Sequence, residues 1–319
     1  MQRPRNFIKL DDILDYWKKH GYHTSSYKSK NLNIKLKFSD YMKERATLTL
    51  DKDILKHVDR MVDGFKIKNR SHAVELLLLR ALGQHAPKKA LILAGGKGTR
   101  LRPITYEIPK ALIPVHGKTL TEHLFDLFKR HNVTDIIMAV GHMKGKIKEY
   151  FGDGTKFGVK ITYVEENEPL GTAGPIKLAR EYLTEPFIVS NGDELKNIDI
   201  EEMYECHKRN NALATIALTT VNDPSAYGVA RLSGSRILEF VEKPKKEEAP
   251  SNLINSGFYI FEPKVIGYIG DGFQMSENDV FPKLAKEGRL FGYPFSGQWF
   301  DTGNIERYDR AIKEWKDIK

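Results

Sequence analysis

A single cysteine, Cys206, stands among the 319 residues. That scarcity excludes an intramolecular disulfide framework and any cysteine-built zinc cluster. No apolar run approaches the roughly 18 residues that would mark a spanning helix, so no membrane segment is expected. The opening stretch MQRPRNFIKLDD has no apolar signal core, and a cytoplasmic protein is the expectation. Net charge is also nearly missing from most of the chain. Residues 84–319 hold 33 Lys and Arg against 32 Asp and Glu, while residues 1–83 hold 18 against 10. Almost all of the formal +9 therefore lies in the first quarter. A basic module beside a near-neutral body implies either a separate partner, nucleic acid among the candidates, or a solvated basic arm. The length suits one large and one small domain, and 40% hydrophobic residues suffice for a sizeable core.

Residues 1–44 form a basic extension with no assigned chemistry. Leu10–His20 has the spacing of a short amphipathic helix, and NLNIKLKF (31–38) alternates like a half-buried strand. Residues 45–83 read more sharply. RATLTL sets Ala46, Leu48 and Leu50 on one face and Arg45, Thr47 and Thr49 on the other, as a strand does. Asp51 can cap a helix carrying Ile54, Leu55, Val58, Met61 and Val62 that ends at Gly64. Ser71 is placed to cap a second helix ending near Gly83. One strand and two helices in 40 residues cannot cover their own sheet edge or apolar face, so a partner chain is required. The segment resembles the ribbon-helix-helix family. That resemblance implies a homodimer or a higher even oligomer. It also implies DNA as a partner, touched by Arg45, Thr47 and Thr49, with a phosphate at the Ser71 helix start. Residues 84–89, QHAPKK, read as a linker.

From residue 90 apolar runs alternate with helical stretches. The runs are Ala90–Leu93, Asp135–Val140, Val159–Val164, Pro186–Ser190, Ala212–Leu218 and Gly257–Phe261. The helical stretches include Thr121–His131, Gly174–Tyr182 and Glu201–Asn210. The expected fold class over 90–319 is α/β: a doubly wound, mostly parallel, Rossmann-like sheet binding ligands at its strands' carboxyl ends.

AGGKGTRLRP (94–103) follows the first run. It fails the triphosphatase pattern GxxxxGK[ST]. It also fails the dinucleotide pattern GxGxxG, because Leu101 stands where the third glycine belongs. The longer segment LAGGKGTRLRPITYEIPKALIPV (93–115) instead resembles the sugar-1-phosphate nucleotidylyltransferases, or nucleotide-sugar pyrophosphorylases. That resemblance implies a nucleoside triphosphate held by Leu93, Ala94, Gly95, Gly96, Gly98, Thr99, Arg100 and Lys110. Glycine backbone there can close on phosphate oxygens, and the two cations supply charge.

Further motifs follow in that family's order. EPLGTAGPIKLA (168–179) resembles the segment that contacts base and ribose, bringing Gly171 and Thr172. VSNGDEL (189–195) brings Gly192 and Asp193, and QWFDTGNIERY (298–308) brings Asp301; the two aspartates are the implied Mg²⁺ ligands. AYGVA (226–230), FVEKPK (240–245) and INSGFYIF (254–261) resemble the sugar-phosphate site, with Gly228, Glu242, Lys243 and Asn255. The implied reaction joins a nucleoside triphosphate to a sugar 1-phosphate and releases pyrophosphate. The nucleophile is already an anion, so catalysis is positioning and charge neutralisation by Arg100, Lys110, Asp193, Lys243 and Asp301.

Glu166 bears on the base. A carboxylate only accepts hydrogen bonds, which suits guanine's adjacent N1–H and 2-amino donors, whereas a glutamine suits uracil or thymine. GTP is thus favoured, and mannose 1-phosphate follows from the likeness of EPLGTAGP and FVEKPK to mannose-1-phosphate guanylyltransferases. UTP or dTTP with glucose 1-phosphate is the alternative. A one-residue slip would bring Glu165 into play, with Glu168 also nearby. In a different class stands a DNA-binding regulator that uses the transferase body as a nucleotide-sugar sensor.

Overall fold

A computed structural model describes residues 46–65, 67–81 and 85–317. The chain divides into two units between His85 and Ala86. The readings for Leu10–His20 and 31–38, and the side chain of Arg45, lie outside the described residues.

In the first unit, helix α1 spans Lys52–Met61 and α2 spans Arg70–Ala81. Asp51 caps α1 as expected, accepting from Asp53 N at 2.8 Å, but the helix ends at Met61 rather than Gly64. The cap of α2 is Asn69, not Ser71. Asn69 Oδ1 accepts from His72 N at 3.0 Å, which leaves Ser71 inside the first turn. Both residues are N-cap formers, and the helix starts at the earlier one. Arg70 and Asp59 tie the pair by two bonds of 2.7 and 2.8 Å. Among the described residues, 46–50 join no ladder; Thr47 and Thr49 are exposed while Leu48 and Leu50 are half-buried, so the alternation of faces is present.

The second unit is a nine-stranded sheet between two helical layers. Its strands are β1 Lys89–Ala94, β2 Asp135–Val140, β3 Lys160–Glu165, β4 Phe187–Asn191, β6 Ala214–Thr220, β7 Gly228–Ser233, β8 Arg236–Glu242, β9 Leu253–Phe261 and β10 Leu290–Pro294. Their spatial order is β3-β2-β1-β4-β9-β6-β10-β8-β7. Strands β3, β2, β1 and β4 are parallel. Beyond them the sheet is mixed: β9 runs antiparallel to β4 and β6, β10 is parallel to β6, and β8 and β7 close the edge as a hairpin. The mostly parallel expectation therefore holds for the first half only. The Gly234-Ser235 link makes β7 and β8 adjacent, and a two-residue link permits only antiparallel pairing.

Alternation along the buried strands builds the layers. Ala90 and Ile92 face a core with Leu124, Phe125, Phe128, Ile147, Ile200 and Met203, from helices α3 Leu120–Arg130, α4 Lys144–Phe151 and α6 Ile200–Arg209. Leu91 faces the opposite core, where Ile176 of α5 Gly174–Leu178 meets Phe281 and Leu284 of α7 Phe281–Lys286. Each fully buried Leu or Phe contributes about 1.5–3 kcal/mol. A reciprocal capping box, Thr119 with Glu122, starts α3. A two-stranded ladder, β5 Glu194–Lys196 with β11 Trp299–Asp301, lies outside the main sheet and leads to α8 Ile305–Glu314. Among the described residues no helix is long and apolar enough to cross a membrane.

Candidate active site

The site forms at the carboxyl ends of β1 and β4, where strand order reverses direction from β1. Gly192 N donates to Leu93 O at 3.0 Å, locking the two strand ends together. The loop 95–98 then crosses the opening. Thr105 Oγ1 fastens its far end by donating to Gly98 O at 2.7 Å. Beside it, Thr99 and Arg100 sit exposed on a single 3₁₀ turn. The next residue, Leu101, is buried with Leu195 and Trp315. One small cluster thus anchors both the Arg100 turn and the ladder that follows Asp193.

Five charged side chains meet at this end: Lys110, Asp193, Asp301, Arg307 and Arg100. Lys110 Nζ lies 2.5 Å from Asp193 Oδ2. Burial would raise the Asp193 carboxyl, but Lys110, helped by Lys196 and Arg100, outweighs it and holds the group below the ordinary aspartate value. Thr302 Oγ1 donates to Asp193 O at 2.7 Å, bringing the neighbouring Asp301 alongside. Asp301 accepts from Gly303 N at 2.6 Å and from Arg307. A Cβ on Gly303 would lie 2.7 Å from Asp301 Oδ1 and 3.2 Å from an Arg100 guanidinium nitrogen, so that cation sits beside the same carboxylate. Among the described residues no cluster of three metal-ligating side chains occurs. Two carboxylates supplemented by phosphate oxygens and water are a donor set that fits Mg²⁺, which rarely uses an all-protein cage.

Behind Asp193 lies a pair that the sequence reading passed over. Glu194 and Lys196 point to one face of β5, as residues two apart must. Lys196 is wholly buried, and its ammonium donates to Glu194 Oε2 at 2.8 Å and to the carbonyls of Ser256 and Gly257, both at 3.0 Å. Trp299 Nε1 and Asn191 Nδ2 also reach Glu194, at 3.2 and 3.1 Å. Burial pushes the Glu194 carboxyl up to about 7; Lys196 opposes the rise, and Asp193 and Asp301 add to it. The spacing E-x-K on a three-residue strand was the available signal, but nothing in the sequence marked that strand as buried.

Glu166 lies beneath the glycine loop and lines the same pocket as Lys110 and Asp193. A side chain on Gly95 would have its Cβ 2.1 Å from Glu166 Oε1, so the backbone passes directly over that carboxylate. Burial raises the Glu166 carboxyl above its ordinary value, against a weak bond from Leu170 N at 3.3 Å. The neighbouring acids are elsewhere: Glu165 is paired with Lys144 and Lys148 at 2.8 and 2.7 Å, and Glu168 is exposed. A pocket of about 320 Å³ opens here, bordered by Glu166, Gly171, Thr172, Lys110 and Asp193. Leu93, Ala94, Gly96 and Gly192 also border it, whereas Gly98, Thr99 and Arg100 stand outside its lining.

The sugar-side candidates converge on a buried acceptor. Gly228 faces Glu242 across the β7–β8 ladder. A Cβ on Gly228 would fall 2.8 Å from Glu242 Oε2 and 2.4 Å from the Phe240 ring. Among the described residues that buried Oε2 has no partner, while Oε1 holds Lys243 Nζ at 3.0 Å. Lys243 itself is largely exposed, in a left-handed conformation at φ 49°. Asn255 does not point freely into solvent. It donates to the Tyr259 hydroxyl at 2.9 Å and accepts from Gly257 N at 2.9 Å, at an irregularity in β9. Tyr259 in turn meets Glu277, which accepts from Thr172 Oγ1 at 2.5 Å. The buried Glu277 thus joins the Thr172 segment to the Asn255 segment, a link the sequence reading missed; it lies on a π-turn, Ser276–Val280.

The nucleotidyl transferase family model matches residues 89–317. The chain is 42% identical over 221 residues to a mannose-1-phosphate guanyltransferase beta-B of Xenopus laevis, covering 67% of this chain and 61% of that protein. It is 40% identical over 242 residues to a UTP–glucose-1-phosphate uridylyltransferase of Synechocystis, covering 70% and 62%. It therefore spans somewhat less than two thirds of these curated relatives. Among solved structures, HddC from Yersinia pseudotuberculosis complexed with GMP-PN superposes with a TM-score of 0.62 at 29% identity, over 72% of this chain and all of that one. With the loop, the paired aspartates and the sheet order in place, the chain belongs to the nucleotidyl transferase family, whose members similar to it are named as sugar-phosphate nucleotidyltransferases.

Proposed function

We propose that the protein transfers a nucleotidyl group from GTP to mannose 1-phosphate, releasing pyrophosphate. One observation carries the reading: an acceptor-only carboxylate, Glu166, stands under the loop in a pocket that Lys110 and Asp193 also line. A carboxylate matches two adjacent donors on a guanine edge and repels the carbonyl that uracil presents. Glu242 Oε2, buried and without a partner among the described residues, is suited to accept from a sugar hydroxyl, since an unmet acceptor there is costly until a donor arrives.

In the proposed step a phosphate oxygen of the sugar 1-phosphate bonds to the α-phosphorus as the bond to the bridging oxygen of the β-phosphate breaks. Both reactants are anions, so the chain's cations do the main work. Arg100 lies beside the exit of pyrophosphate, Lys110 beside the α-phosphate, and Lys243 beside the incoming phosphate. Asp193 and Asp301 would hold Mg²⁺, which when bound neutralises phosphate charge. Product analysis with GTP, UTP and dTTP, each against mannose 1-phosphate and glucose 1-phosphate, tests the reading. A guanylyl-mannose product is expected, and turnover with uridylyl or thymidylyl donors alone overturns the base assignment.

A second reading concerns the N-terminal unit. Helix α2 leaves Leu77 and Leu78 about 40% exposed, and among the described residues the 46–50 alternation joins no ladder. Pairing with a second copy would cover both, so we assign this unit to dimerisation, with duplex DNA as a further ligand through Thr47 and Thr49. Sedimentation of the full chain as a monomer would refute dimerisation. DNA binding that falls steeply with salt would support the second role.

A further inference from the structure

Phe273 is 61% exposed, yet it borders the nucleotide pocket. An aromatic side chain that lines a cavity presents a flat apolar face to whatever fills it. The segment that carries it is not a loose loop. Gln274 N donates to Leu170 O at 3.0 Å, and Ala173 N donates to Gln274 O at 2.9 Å. Ser276 N donates to Thr172 Oγ1 at 2.9 Å. Lys177 Nζ fastens the segment's start through Ile269 O at 3.0 Å and Asp271 at 2.7 Å. Residues 269–277 are therefore strapped to residues 170–177, and both stretches line the pocket.

The pocket is lined by the charged Lys110 and Asp193 and by the apolar Pro169, Leu170, Phe273 and Met275. Leu170 N donates to Glu166 Oε2 at 3.3 Å and Leu170 O accepts from Gln274 N, so the segment carrying Phe273 and Met275 is tied to the Glu166 side of the lining. A flat apolar ligand portion with polar edges fits that side, which is the description of a nucleobase. We propose that Phe273, backed by Met275, supplies the stacking wall for the base of the nucleoside triphosphate while Glu166 reads its edge. The inference rests on the proposed nucleotidyl transfer and adds to it a base-binding residue. Stacking is indifferent to which base is present, because every base has a π face. Phe273 should therefore set affinity and Glu166 the choice of base.

The test uses the full-length protein with Phe273→Ala and Phe273→Trp. Because the side chain is exposed, both variants should keep the wild-type circular dichroism and melting temperature. In Phe273→Ala the KM for the nucleotide should rise by roughly 5- to 100-fold, the range found when a stacking aromatic is removed. GTP and UTP should suffer in parallel, and the KM for the sugar phosphate should stay within about twofold. In Phe273→Trp the KM should remain near wild type, and nucleotide added without sugar phosphate should change the fluorescence beyond any change in the wild type. A wild-type nucleotide KM in Phe273→Ala overturns the inference, as does an effect on the sugar phosphate alone. If the wild type turns over nucleotide but Phe273→Trp gives no signal, only the stacking assignment falls. If the wild type neither turns over nor binds any nucleoside triphosphate, the transferase reading falls with it.

Discussion

Replacing Lys196 by methionine should reveal how the carboxylates at this end of the site are supported. The ammonium is fully buried and bonded to Glu194, Ser256 O and Gly257 O. Methionine fills similar volume, so packing loss is small and the cost is polar. At pH 6 Glu194 is protonated in the folded state, because its carboxyl titrates at about 7 against 4.5 when unfolded. The loss there comes from stranded carbonyls, about 1–3 kcal/mol. The pH dependence follows from proton counts. In the wild type, stability from this group is fully present below pH 4.5, declines as pH rises toward 7, and is level above it. Without Lys196 the folded value moves higher still, so the decline continues past pH 7, at up to about 1.4 kcal/mol per pH unit. By pH 8.5 the deficit should approach about 3–5 kcal/mol, the cost of a broken buried pair. Urea unfolding at pH 6 and 8.5 reads both values. A deficit below about 1 kcal/mol at both, or one that does not grow with pH, refutes the reasoning.

Gly95→Ala drives a methyl into Glu166 Oε1 and should raise the nucleotide KM by at least about tenfold, with the melting temperature nearly unchanged; steady-state kinetics and calorimetry separate the two. Because burial raises the Glu166 carboxyl, acidification should raise the KM for GTP starting above the ordinary glutamate range, and Glu166→Gln should flatten that profile while favouring UTP. Asp193→Asn and Arg100→Ala should each lower kcat by about 100-fold or more with the circular dichroism spectrum intact. Full activity in either would contradict the role assigned to that end of the site.

Much of this was legible because the parallel half of the sheet announces itself. Strands buried on both faces read as unbroken apolar runs, and Asp135–Val140 is bounded as expected. The phosphate loop was legible for a related reason: glycine and proline fix backbone, and their spacing survives in the letters. The antiparallel half was harder. Strands β7 and β8 carry Arg231, Glu239 and other charges on an exposed face, and Gly234-Ser235 was their one clear signal. The Glu194–Lys196 pair offered only its E-x-K spacing, because burial of a charge depends on neighbours that only the folded sheet supplies. The Thr172–Glu277–Tyr259 contacts offered nothing, since Thr172 stands about a hundred residues from Glu277. Ser71 erred on a smaller scale, since Asn69 two residues earlier offers the same cap.

The central position of β9 has a consequence for synthesis. Strand β4 is complete at residue 191, but the strand that covers its open side ends at residue 261. At ribosomal rates of about 5–20 residues per second, that edge waits on the order of ten seconds for its neighbour. During that interval the nascent chain presents Phe187–Asn191 as a bare apolar edge, the kind that recruits other chains. Fragments ending between residues 200 and 250 should therefore precipitate or engage chaperones, whereas fragments reaching past residue 294, where β10 has also covered the open side of β6, should not.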